Sequence, residues 1–72
     1  MAHLSPKQFD QLEQAVRDGK RIAVVRQGRE TVVKPRRLFT RGGREVIEAT
    51  HPTTGDLIDV IIDFVDSVEV LP

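Results

Sequence analysis

Two adjacent glycines, Gly42-Gly43, constrain this chain more than any other feature. They separate Arg36–Arg41 from Arg44–Thr50, and glycine supplies the positive φ angles of a type I′ turn. That turn joins antiparallel strands through a two-residue loop. It pairs Arg41 with Arg44, which sets Phe39 against Val46, Leu38 against Ile47 and Arg37 against Glu48. Carried through the next loop, the register sets Ala49 against Ile58, Ile47 against Val60 and Val46 against Ile61. One face then holds Leu38, Ile47, Ala49, Ile58, Val60 and Ile62, the expected interior. The other holds an apolar stripe of Phe39, Val46 and Ile61 beside the row Arg37, Glu48, Asp59. A one-residue slip would exchange the two faces, so the turn type decides which side chains are buried.

The remaining chain reads as one helix followed by strands. Ser5 is an N-cap, Pro6 occupies the first helical position, and Gln8 completes a capping box. Leu4 and Phe9 have the spacing of a hydrophobic staple. Phe9, Leu12, Ala15 and Val16 fall on one stripe at helical spacing, and Gly19 marks the stop. The helix is expected over Pro6–Asp18. It is too short to be stable alone, so the stripe must dock on something. The row of Phe39, Val46 and Ile61 awaits either the helix stripe of Phe9, Leu12 and Val16 or another subunit or partner as its cover. Arg21–Arg26 and Arg29–Lys34 flank a hairpin turn at Gln27-Gly28. Pro35 interrupts the ladder and forces an edge, a bend or a strand start. His51–Asp56 is a loop, Leu57–Asp63 a strand, and Ser67–Leu71 a last short strand. The expected layout is a tail over 1–5 and a single domain over 6–72, with the helix at 6–18 and a barrel at 20–71.

Charge is segregated within a total of zero. Lys20–Arg44 carries nine basic residues and one acid, a net +8, whereas Glu45–Pro72 carries seven acids and no Lys or Arg. The basic residues Lys34, Arg36, Arg37, Arg41 and Arg44 cluster on adjacent strands and are candidates to follow a phosphate backbone. The hairpin also lays basic strand beside acidic strand, so pairs such as Arg37–Glu48 should cancel part of the field. Arg36, Arg41 and Arg44 are expected to lack an acidic neighbour. Base-stacking aromatics are scarce: the chain has three Phe, no Trp and no Tyr, and only Phe39 offers a platform.

No catalytic set is legible. With no cysteine, disulfides, thiolate zinc sites and cysteine nucleophiles are excluded. His3 and His51 are isolated, and read as a tail residue and a turn residue. Asp59, Asp63, Asp66 and Glu69 lack calcium-loop spacing, and Gly42-Gly43 lacks the context of a phosphate-binding loop. The expectation is a non-enzymatic protein with no metal or cofactor. No apolar run approaches the ~20 residues that span a bilayer, and no secretory leader pattern opens the chain. A cytoplasmic protein without membrane contact is expected.

Several stretches resemble the WYL domain family. They are Leu12–Ile22, Val33-Lys34-Pro35-Arg36-Arg37-Leu38-Phe39, Gly43–Ala49, the His51–Asp56 turn and Ile62–Val70, and the resemblance covers roughly Phe9 to Leu71. The family's name-giving Trp-Tyr-Leu positions fall at Glu45, Val46 and Ile47. Positions that favour arginine in the family fall at Ile61 and Phe64. The helix-plus-barrel order also resembles Hfq and other Sm-like RNA-binding proteins. Phe9–Ala15 and Gly43-Arg44-Glu45 are similar to the Rho-binding antiterminator family. These resemblances imply a mainly β fold with one N-terminal helix: a five-stranded antiparallel small barrel of Sm-like or SH3-like type. The WYL resemblance implies a barrel that usually sits behind a DNA-binding helix-turn-helix and senses a ligand or nucleic acid. The apolar stripe of Phe39, Val46 and Ile61 beside complementary charge points to a regulatory binding module that meets a protein partner or its own copy there. The alternative is RNA or single-stranded nucleic acid held by Lys34, Arg36, Arg37, Arg41 and Arg44.

Overall fold

The computed structural model describes residues 4–72; His3 lies outside them. Helix α1 spans Pro6–Asp18. The Ser5 hydroxyl accepts the Gln8 N–H at 3.1 Å, and the Ser5 N–H donates to Gln8 Oε1 at 3.0 Å. Gly19 adopts φ +68° at the other end, and its left-handed geometry stops the helix. Five strands follow: β1 Ile22–Arg26, β2 Arg29–Arg41, β3 Arg44–Thr50, β4 Leu57–Ile61 and β5 Ser67–Val70. A 3₁₀ turn, Ile62–Phe64, stands between β4 and β5.

The register around Gly42-Gly43 is the expected one. Both glycines have positive φ, +58° and +78°. Arg41 pairs with Arg44, Phe39 with Val46, Leu38 with Ile47 and Arg37 with Glu48. β4 continues the pattern, with Val46 opposite Ile61, Ile47 opposite Val60 and Ala49 opposite Ile58. Ile47, Ala49, Val60 and Ile62 are buried, and Leu38 and Ile58 pack partly buried against them.

Three expectations need correction, and one open choice is narrowed. First, Pro35 does not divide Arg29–Arg41 into two strands. β2 is continuous, and its pairing with β3 shifts between Pro35 and Arg37. Arg36 is the additional residue of a bulge, the device that lets a strand absorb a residue lacking an N–H.

Second, the strand from Leu57 ends at Ile61 rather than Asp63. Ile62 and Val65 turn inward to fill the end of the core, and the Val65 N–H donates to the Ile62 carbonyl at 3.2 Å.

Third, the sheet does not close into a barrel. Its order is β4-β3-β2-β1-β5, with all pairings antiparallel, so β4 and β5 are free edges rather than partners. The bulged β2 bends the sheet, and the 3₁₀ turn carries the chain across the remaining gap. There the Asp66 N–H donates to the Val25 carbonyl at 2.7 Å, and Asp66 Oδ2 accepts the Gln27 N–H at 2.9 Å.

The choice concerns the stripe of Phe39, Val46 and Ile61: of the covers open to it, α1 is ruled out. Its buried residues Leu12 and Ala15 join the core formed by Ile22, Val33, Ile47 and Ile62. The helix therefore docks on the inner face. This leaves the opposite face of β2, β3 and β4 without a covering element among the described residues.

Candidate functional site

The uncovered face is laid out by the ladder. One row across β2, β3 and β4 is Arg37, Glu48, Asp59; the next is Phe39, Val46, Ile61; the third begins Arg41, Arg44. β2 supplies a basic column, β4 an acidic one, and an apolar row runs between the two charged rows. Alternation brings Arg37, Phe39 and Arg41 to the same side of β2, since successive strand side chains point to opposite faces.

The side chains interlock across these rows. The guanidinium carbons of Arg37 and Arg41 lie 4.8 Å and 4.9 Å from the centre of the Phe39 ring. Both distances fall within cation–π range. Arg37 Nη2 and Nε stand 3.1 Å and 3.2 Å from the same Glu48 carboxylate oxygen. Arg41 Nη1 reaches from β2 to Asp59 Oδ2 on β4, at 3.4 Å. Val46, between these strands, is only 3% exposed. Arg44 Nε lies 3.9 Å from Asp63 Oδ2, and its guanidinium carbon sits 5.1 Å from the centre of the Phe64 ring. The apolar row is thus roofed by guanidinium planes.

This arrangement corrects the expectation about free charges. Arg41 and Arg44 each have an acidic partner, Asp59 and Asp63. Of the five basic candidates, Lys34 and Arg36 make no ion pair among the described residues. The Lys34 side chain runs beside Gly19 at the end of α1. Arg36, thrown out by the bulge, lines a groove with Phe9, Glu13, Val16, Arg17 and the paired Arg37. The sequence reading places Phe39, Val46 and Ile61 together correctly, but misses Asp63 and Phe64. Their signal was the break in alternation after Ile61, where the strand gives way to a turn that returns both side chains toward Arg44.

Chemically, the face offers planar hydrogen-bond donors over aromatic rings. His51 plays a local structural role. Its Nδ1 accepts the N–H groups of Thr53 and Thr54 at 3.2 Å and 3.3 Å, which shapes the turn before β4. No group of three or more His, Asp or Glu side chains suited to a metal gathers among the described residues. No helix there is long and apolar enough to cross a membrane.

No protein-family model and no curated protein matches the chain. Among solved structures it is similar to the proteasome accessory factor B/C of Arthrobacter aurescens, with 23% identity and a TM-score of 0.71. The match covers 97% of this chain and 12% of that one, so the chain spans about an eighth of that protein's length. At this identity the likeness is one of fold. The match supports a WYL-like fold here.

Proposed function

We propose that this chain is a non-enzymatic regulatory binding module that meets another protein, or a second copy of itself, through the outer face of β2, β3 and β4. The observation that carries this reading is the Phe39 ring with the Arg37 and Arg41 guanidiniums above it. Arginine and aromatic side chains are the types enriched at the centres of protein interfaces, where they bury much surface without losing many rotamers. Pairing with Glu48 and Asp59 holds the guanidiniums flat and leaves donors for a partner's carboxylates or carbonyls. The WYL-like fold supports a regulatory setting, in keeping with the family resemblance of Leu12–Ile22 and Val33–Phe39.

A second reading follows the Sm-like resemblance and has RNA or single-stranded DNA as partner. Lys34 and Arg36 favour it, because neither makes an ion pair among the described residues. The ion pairs of Arg37, Arg41 and Arg44 weigh against it, because a phosphate would have to displace a carboxylate already in place.

Light scattering across a concentration series separates the two. Phe39→Glu should reduce concentration-dependent association while circular dichroism stays unchanged. Arg36→Glu should leave association unaltered. A chain that remains monomeric throughout, with Phe39→Glu causing no change, overturns the self-association form of the proposal. Titration with random single-stranded oligonucleotides at low and high salt tests the alternative: affinity should fall steeply with salt. No binding at low salt disposes of it.

A further inference from the structure

The two sheet edges are treated differently. β5 lies beside α1: Gln8, Gln11, Leu12 and Ala15 border one groove with Val68 and Val70. That edge therefore faces the helix across the groove. β4 has β3 on one side and no strand on the other. An open edge presents unpaired N–H and C=O groups and is a template for another strand.

Three observations show what that edge would accept. The described large hydrophobic residues that are most exposed bracket it: Leu57 at the start of β4, 66% exposed, and Phe64 just beyond its end, 51% exposed. A cleft of about 210 Å³ opens alongside, with Val24 and Val33 on its far wall and Val65 and Phe64 at its end. Consecutive β4 residues, Ile58 to Ile61, line the near wall. Residues of both faces border the cleft, so it follows the edge of β4, between that strand and residues of β1 and β2. The third observation is charge. The charged side chains lining the cleft are Asp59, on the strand that would be extended, and Arg26, on the far wall; Asp59 meets Arg41 at 3.4 Å in an exposed pair that a second cation can share. From Glu45 to the end the chain carries seven acids and no Lys or Arg.

We propose that the free edge of β4 binds an extended segment of a partner protein as an added strand. One large apolar side chain of the segment enters the cleft, and a Lys or Arg stands opposite Asp59. Backbone ladder bonds would give affinity, and alternate side chains would give selectivity. Asp59 also argues against symmetric pairing of two β4 strands. Two β4 strands aligned over their full length place Asp59 directly against Asp59, and like charges in that position are unfavourable. This inference extends the binding reading to a second surface and does not depend on the Phe39 face.

The test uses synthetic peptides on the full chain. The probes are Lys-Val-Lys-Ile-Lys-Val-Lys, the same peptide with Glu for every Lys, and the Lys peptide N-methylated along one edge. Amide hydrogen exchange and NMR shift mapping provide the readout. The Lys peptide should slow exchange of amides in residues 57–61 by roughly tenfold or more. N-methylation should abolish the effect. Asp59→Lys should reverse the preference, so that the Glu peptide protects β4 instead. Absence of binding at millimolar peptide overturns the proposal. So does equal binding of the N-methylated peptide, or shifts confined to Arg37, Phe39 and Arg41. If peptide binding fails while Phe39→Glu still alters association, only this edge is excluded as a site. If β4 binds and Phe39→Glu changes nothing, the edge stands and the face does not.

Discussion

At the scale of single residues, Phe39 shows how a half-buried ring is kept in water. Two guanidiniums lie over it, each tied to a carboxylate on a neighbouring strand. The two kinds of contact differ in worth. The Arg41–Asp59 pair is largely exposed, and such pairs contribute about 0–1 kcal/mol because water screens them and two side chains must be held still. The ring supplies apolar burial, and cation–π contact adds about 0.5–1 kcal/mol at exposed sites. Phe39→Ala should therefore lower stability by about 1–2 kcal/mol in urea unfolding, whereas Arg41→Gln should change it by less than about 1 kcal/mol. Equal losses would mean that the ion pair, not the ring, organises the face. The pairing of Arg37 with Glu48 was legible from the turn arithmetic. The reach of Arg41 across β3 was not, because strand register aligns direct neighbours and says nothing about a long side chain crossing to the next strand but one.

At the scale of elements, local signals and tertiary packing share the work unequally. α1 begins and ends where Ser5, Gln8 and Gly19 direct, because caps satisfy backbone groups through neighbours in the chain. Removing that hydroxyl should be felt directly: Ser5→Ala should cost about 1 kcal/mol, measured as a lower thermal midpoint by circular dichroism. No change would show that packing of Leu12 and Ala15 alone sets the helix start. β2 is the contrary case. Pro35 read locally as a break, yet the strand continues through a bulge because the pairs on either side, Lys34 with Thr50 and Arg37 with Glu48, hold it in the ladder. Long-range pairing outweighs one missing donor. The 3₁₀ turn at Ile62–Phe64 is similar. Its residues continue a strand-like pattern, but the end of the core needs filling there, and Ile62 is almost completely buried.

At the scale of the whole molecule, a core this small leaves little margin. Domains of this size bury only about 60% of the surface of the unfolded chain and rarely hold more than about 3–5 kcal/mol. Ile47 has no exposed surface and sits on β3, inside the sheet rather than at its edge. Ile47→Ala should remove about 2–5 kcal/mol, enough to populate the unfolded state without denaturant, as amide exchange at the global rate would show. A small loss would mean that the neighbouring side chains collapse into the space. The charge asymmetry also resolves at this scale. Antiparallel pairing brings the basic and acidic segments together, and three arginines meet three acids, Glu48 and Asp59 in the sheet and Asp63 in the 3₁₀ turn beside it. The amino-acid sequence by itself determined the helix and its caps, the turn at Gly42-Gly43, the register and hence which side chains face inward. All of these follow from interactions a few residues apart, or from a period of two carried outward from one turn. Only the tertiary structure decided that α1 docks inside rather than over Phe39, that the sheet stays open between β4 and β5, and which arginines keep a free charge. Those outcomes depend on how one sheet bends around a shared core, and no local spacing encodes that bend.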